Sequence, residues 1–91
     1  MFKFEWDDQK AASNLLKHGV SFDEAVSVFG DALALTFADT DHTDVEDRSR
    51  TYEISNKARL LVVMHTGRRN GIRVISARKA TRYEKGIYEN G

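Results

Sequence analysis

The chain has no cysteine among its 91 residues. No disulfide framework, zinc-finger set or thiolate nucleophile can be built from it, which fits a reducing, cytoplasmic setting. Long apolar runs are missing too. Nothing approaches the ~18 residues of a membrane span, and the N-terminus lacks the charged-then-apolar pattern of a secretory signal. Metal signatures such as HExxH or CxxC are absent, and His18, His42 and His65 lie far apart in the chain. The run Asp39-Thr40-Asp41-His42-Thr43-Asp44 resembles the opening of a calcium loop. However, Asp44 stands where that loop requires glycine, and Arg50 where it requires glutamate. No metal and no cofactor is therefore expected. Without repeats, linkers or low-complexity stretches, a chain of this length forms one domain around one modest core.

Net charge is absent as well, at +0, which would ordinarily discourage a nucleic-acid partner. The total conceals a segregation. Residues 1–47 hold three Lys against eleven Asp and Glu (3 − 11 = −8), and residues 48–91 hold eleven Lys and Arg against three Glu (11 − 3 = +8). Such asymmetry suggests a basic surface for one partner and an acidic one for another, unless folding interleaves the halves. An RNA phosphate contact needs only a local cluster of Arg and Lys.

What is present reads as an α+β domain. Phe2-Lys3-Phe4-Glu5-Trp6 alternates apolar and charged, as a half-buried strand does. Asp7 or Asp8 can cap a helix running through Leu15 and Leu16 to Lys17-His18, where the basic pair suits the negative helix end and Gly19 supplies a left-handed stop. Ser21-x-x-Glu24 is a capping box for a second helix, with Phe22, Ala25, Val26 and Phe29 on one face and Gly30 closing it. Leu33 to Phe37 reads as a strand, and the acidic, aperiodic segment from Ala38 to Asp47 as a loop. Three strands follow at roughly Arg48–Ser55, Arg59–Thr66 and Ile72–Lys79. The middle one is apolar on both faces and so belongs in the centre of the sheet, and Gly67 with Asn70-Gly71 marks the last hairpin. Thr81-x-x-Glu84 opens a C-terminal helix reaching about Glu89. The order is β-α-α-β-β-β-β-α with a mostly antiparallel sheet.

Cutting RNA without a metal requires a base for the 2′-hydroxyl, cations for the charge developing at phosphorus, and an acid for the leaving oxygen. Arginine suits the second task because its planar fork grips phosphate oxygens and stays protonated. Arg78, near the end of the last strand, and Arg82, at the start of the last helix, are the first candidates. A cation at a helix N-terminus opposes the dipole, which argues for a functional reason, although pairing with an acidic neighbour would also account for it. Arg48 and Arg50 share a strand face with Tyr52, an arrangement able to hold a phosphate and stack a base. Its structural alternative is a charged edge strand that blocks aggregation. Lys79 adds to this basic set as a substrate-binding candidate. Ser76 shares a face with Arg78, and also with Ile72 and Val74, which suits hydrogen bonding, since no nucleophile elbow surrounds it.

Lys17 and His18 can bind phosphate and transfer a proton, yet are equally ordinary residues for a helix C-terminus. His65 could complete an acid–base pair with His18, but a structural place at the strand end is the simpler reading. Trp6 can stack on a base, although a lone tryptophan after a strand more often fills a core. Glu84 already has a task in its capping box.

Trp6, Asp7, Lys10, Asn14, Lys17, His18, Gly19 and Phe22 at one end, and Ser76, Arg78, Ala80, Arg82 and Glu84 at the other, resemble the pattern of the BrnT family, with a looser counterpart at Glu46-Asp47-Arg48. BrnT proteins are small ribonuclease toxins of bacterial type II toxin–antitoxin operons. The resemblance spans almost the whole chain, and the order and spacing of the motifs are more specific than either end alone. It implies a RelE-like ribonuclease architecture and growth arrest by metal-independent RNA cleavage. It also implies a BrnA antitoxin in a dimer-based complex, touching operator DNA only through that antitoxin. It strengthens Arg48, Lys17 and His18 as site residues beside Arg78 and Arg82; the candidates for holding the substrate are Arg50, Trp6, Ser76 and Lys79. Residues alone leave two alternatives level with this one: a non-catalytic nucleic-acid-binding module, and a protein-interaction domain whose acidic half docks a basic partner. The first of these has no basic recognition helix behind it, since the helical hairpin at residues 8–29 is acidic or neutral.

Overall fold

A computed structural model describes residues 3–38 and 48–90, so most of the acidic segment expected as a loop lies outside the described residues. The elements are β1 (Lys3–Glu5), α1 (Asp8–His18), α2 (Phe22–Val26), β2 (Leu35–Ala38), β3 (Arg48–Ile54), β4 (Leu60–Arg68), β5 (Gly71–Lys79) and α3 (Arg82–Asn90). The order is the expected one. All five strands join one sheet in the sequence β1-β5-β4-β3-β2, with β4 in the centre as its two apolar faces require. β2, β3, β4 and β5 pair antiparallel, whereas β1 lies parallel to β5.

Local chemistry sets the helix ends. Asp7 caps α1, its Oδ1 accepting from the amides of Gln9 at 2.8 Å and Lys10 at 3.1 Å. Gly19 stops the helix in the left-handed region at φ 69°. Ser21 caps α2 by accepting from the Glu24 amide at 3.0 Å, but the Glu24 carboxylate does not return the bond. It takes Ser55 Oγ at 2.6 Å and the Arg59 guanidinium, and Arg59 in turn donates to the Gly19 carbonyl. One buried carboxylate thus ties both short helices to the turn between β3 and β4, and Arg59 holds it below the usual carboxylate range. The second helix is shorter than expected. Beyond Val26 the chain makes i−3 bonds at Ser27, Val28 and Phe29, and reaches Gly30 at φ 93°. Ser27 explains the early end: its hydroxyl donates back to the Glu24 carbonyl while accepting from the Asn56 amide, so the turn is tied to the sheet instead of continuing.

The core lies between α1, α2 and one sheet face. Val20, Phe22, Ala25 and Val28 meet Leu61, Val63, Val74 and Ala77, all buried. His65 belongs to the same face. It is 8 % exposed, its Nε2 lies 2.7 Å from Thr51 Oγ1, and Phe29 meets its ring edge-on. Burial pushes its pKa down, so the imidazole is neutral. Trp6 likewise rests against the core, its ring edge-on to Phe22 with centroids 5.8 Å apart.

One irregularity organises the other face. Met64 pairs with Ser76 but His65 pairs with Val74, so Ile75 is an extra residue in β5. Side-chain parity reverses there. Val74 and Ala77 both face the helices, whereas Arg73, Ser76 and Arg78 all face the opposite way. The expectation that Ser76 shares a face with Ile72 and Val74 is thus corrected, since an unbroken alternation does not hold across a bulge.

Gly71 marks the place where β1 comes closest. A Cβ there would lie 1.7 Å from the Lys3 carbonyl oxygen and 2.6 Å from its carbon, both backbone atoms. Gly71→Ala is expected to push β1 off β5, cost about 1–3 kcal/mol, and expose the Lys3–Glu5 amides to exchange. Unchanged melting and exchange would contradict the close pairing.

Candidate nucleic-acid interface and cleft

Past Glu5, β5 has no strand neighbour on its outer side, and α1 covers that edge instead. The means is Asn14, buried at 6 % exposure on an otherwise exposed helix face. Its Nδ2 donates to the Ala77 carbonyl at 2.8 Å and its Oδ1 accepts from the Ala77 amide at 3.1 Å, so the side-chain amide completes the ladder as another strand would. A third bond, from Nδ2 to the Val20 carbonyl at 2.9 Å, fixes the helical hairpin to the same point.

This seam opens into a cleft of about 180 Å³ lined by Lys10, Asn14, Lys17 and His18 of α1 and by Ile75 and Ser76 of β5. Lys10, Asn14 and Lys17 fall at i, i+4 and i+7, one stripe of the helix. His18 is half-buried there, and Ser76 presents its hydroxyl from the bulged stretch. Two ammonium groups, an imidazole and the hydroxyls of Ser13 and Ser76 share this small volume. Lys17, His18 and Ser76, far apart in sequence, are brought together. Lys10 joins them, and the polar stripe on α1 was the signal for it.

Ser76 also borders the sheet face turned away from the core. Register runs across it in rows: Ser76, Met64 and Arg50; Arg78, Val62 and Tyr52; Arg73, Thr66 and Arg48. Paired side chains stand on one face, so Arg48 and Arg50 of β3 and Arg73 and Arg78 of β5 flank the Thr66, Met64 and Val62 side chains of β4 on one cationic face. Arg50 lies two interstrand steps, about 10 Å, from Ser76. Its Nε–H is buried and has no acceptor among the described residues, an unusual state for a strong donor and one that an anionic oxygen would resolve. Phe37 packs edge-on against Tyr52 with centroids 5.7 Å apart. Tyr52 itself is 2 % exposed, so its place is to buttress the arginines rather than to stack on a base.

Arg78 is less free than its neighbours. Its Nη1 and Nη2 grip the two oxygens of Glu84 at 2.6 and 2.8 Å, a bidentate pair. Glu84 also accepts from the Thr81 amide at 2.9 Å, while its own amide donates to Thr81 Oγ1 at 3.2 Å. The C-terminal capping box is therefore complete and carries an arginine as well. Arg78, then the Thr81 amide, hold the Glu84 carboxyl down to about 2. Much of the Arg78 charge is thereby spoken for, unlike the buried Nε–H of Arg50, which has no acceptor among the described residues.

Three candidates lie apart from this arrangement. Arg82 opens α3 as expected, but it is exposed and borders a shallow depression with Tyr83, Gly86, Ile87 and Asn90 rather than the cleft. Lys79 pairs with Leu61 and so projects from the core side of the sheet. Trp6 lines an apolar hollow with Ala11, Leu15 and Phe22 on a different flank of α1 from Lys10 and Lys17. His65 is on the covered face and cannot meet His18 across the cleft. Arg73 escaped the sequence reading because it is five residues from Arg78, an odd spacing that only a bulge converts to one face. Among the described residues no group of His, Cys, Asp and Glu is placed to hold a metal ion, and no helix is long and apolar enough to cross a membrane.

The 1.1 Å crystal structure of the Brucella abortus ribonuclease toxin BrnT is similar to this fold, with a TM-score of 0.64 over 90% of this chain and 100% of that one, at 24% identity. No curated protein matches the sequence. Residues 6–84 match the family described as "Ribonuclease toxin, BrnT, of type II toxin-antitoxin system". With that match covering most of its length, the chain belongs to the BrnT family of ribonuclease toxins.

Proposed function

We propose that this chain, acting as one BrnT-like toxin domain in the cytoplasm, is an endoribonuclease that needs no metal and cuts RNA through the 2′-hydroxyl. The observation that carries the reading is the cleft at the α1–β5 seam opening beside the arginine face, so that a proton-transferring group and phosphate-binding cations border one another. RNA lies across β3–β5 with a phosphate between Arg48 and Arg50. The scissile linkage reaches toward Ser76, Lys17 and His18. His18 moves the proton, the lysines and arginines offset charge at phosphorus, and Ser76 hydrogen-bonds the sugar–phosphate. Arg78, fixed by Glu84, orients that end of the surface. The architecture is on this reading RelE-like, which the element order and the cationic sheet face support.

As a member of a type II toxin–antitoxin family, the chain has a protein antitoxin as partner. We assign that role to a BrnA-type protein in a dimer-based complex, which alone contacts operator DNA. Purified protein is expected to cleave labelled RNA equally with and without EDTA, and to stop when the antitoxin is added. Intact RNA under both conditions, with harmless expression in cells, would remove the proposal in favour of a binding module.

A further inference from the structure

The cationic face continues beyond the cleft to the end of the β4–β5 hairpin. Lys3, Gly71 and Arg68 form the next row of the sheet, Arg73 and Glu5 the row before it. Arg69 and Asn70 make the turn, and the Lys3 amide donates to the Asn70 carbonyl at 2.8 Å, which fastens β1 beside it. All of these but Arg73, which borders it through Glu5, line a hollow of about 290 Å³. Glu5 is the one carboxylate there among the described residues, and it lies 3.1 Å from Arg68 Nε and 3.4 Å from Arg73 Nη1. Among the described residues, four cations, Lys3, Arg68, Arg69 and Arg73, stand against one anion at this end of the sheet, a net of +3 (4 − 1). The Arg69 guanidinium and the Lys3 ammonium have no ion-pair partner among the described residues.

A surface built only for stability would not gather four cations around one carboxylate. Like charges repel, and exposed ion pairs contribute little. From the Met64–Ser76 row to the Arg68–Gly71 row is four residues of β4, about 14 Å. At about 3.4 Å of rise per nucleotide along one strand, that is roughly four stacked nucleotides. We infer that the hairpin end is a second RNA-backbone subsite, in which Lys3 and Arg69 hold phosphates flanking the cleaved linkage. Arg68 and Arg73, steadied by Glu5, frame it. The inference rests on the proposed RNA cleavage and adds what that reading lacks: a reason for substrate length to matter.

The test uses Lys3→Ala, Arg69→Ala and the double variant. Both side chains are exposed and leave the core untouched. Binding is measured by anisotropy with a 2′-O-methyl oligoribonucleotide long enough to reach the hairpin, and cleavage with both a long RNA and a dinucleotide. Removing one phosphate-binding cation should lower the salt slope by ~0.7, about fivefold in affinity at 0.1 M salt and so about 25-fold for the double variant. KM for the long RNA should rise correspondingly while dinucleotide cleavage stays at the unmutated rate. Equal binding of the long oligonucleotide by both proteins overturns the subsite, whatever the cleavage result. Unmutated protein that binds the oligonucleotide through this patch yet cuts nothing overturns the nuclease reading instead. Loss of the co-expressed antitoxin with RNA binding intact would make the patch a protein interface, and the inference falls.

Discussion

His18→Ala should lower RNA cleavage by about 10²–10⁴-fold, the range of one positioned proton-transfer group, while the melting temperature scarcely moves. The asymmetry follows from placement. His18 lines the cleft and makes no hydrogen bond or ion pair among the described residues, so its removal costs the fold little. His65→Ala should behave in the reverse sense. That ring is buried against Phe29 and hydrogen-bonded to Thr51 on the covered face, so its loss weakens the protein and leaves the chemistry in place. The neutral state of His65 adds a pH signature. Its folded pKa lies below 6.5 because of burial, so its contribution is full above about 6.5 and declines as the pH falls through the folded value. Cleavage rates of the two variants at matched folded fraction decide the matter. Full activity in His18→Ala would sink the cleft as the catalytic centre.

Glu84→Ala is the substitution expected to damage stability most, by about 3 kcal/mol. For a domain of this size that lowers the melting temperature by roughly 12–24 °C. The side chain accepts both Nη groups of Arg78 and the first free amide of α3, so truncation leaves a half-buried guanidinium and a helix start without acceptors at once. The acid dependence has a defined sign. The folded pKa of about 2 lies below the ordinary 4.5. The carboxylate therefore stabilises fully above about pH 4.5, and the contribution disappears between there and pH 2. Glu84→Gln should be flatter than the unmutated protein across that window. Urea midpoints at about pH 6 and about pH 3 measure the difference. Parallel curves would show that the Arg78 pair carries no such load.

Much of the fold could be read from the chain because it is specified locally. Asp7, Gly19, Ser21, Thr81 and Glu84 act within a few residues of where they stand, and the caps appear where the residue types put them. The central place of β4 followed from its two apolar faces. What could not be read depends on partners distant in sequence. The parallel docking of β1 on β5 rests on Gly71 admitting the Lys3 backbone. The early end of α2 rests on Ser27 meeting Asn56, and Glu24 leaves its capping box half-made because Arg59 and Ser55 claim it. The site divides in the same way. Arg48 and Arg50 were legible as a two-residue alternation within one strand. The union of Lys17 and His18 with Ser76 was not legible, because it depends on Asn14 clasping the outer edge of β5. Arg82 and Trp6 were misplaced by reasoning that stopped at local signals: one broke a helix-end preference, and the other had an aromatic ring available.

The extra residue at Ile75 gives β5 one position where its length can change without reversing its faces, which no substitution map would reveal. Val74 and Ala77 reach the interior, and Arg73 and Arg78 the outside, because the bulge takes up the odd residue between them. Remove Ile75 and the ladder closes to simple alternation, with Val74 and Ala77 still inward and Arg73, Ser76 and Arg78 still outward; what disappears is the local bend of the bulged strand. A codon lost at this point would therefore spare the fold, and its cost would fall on how Ser76 is aimed at the cleft.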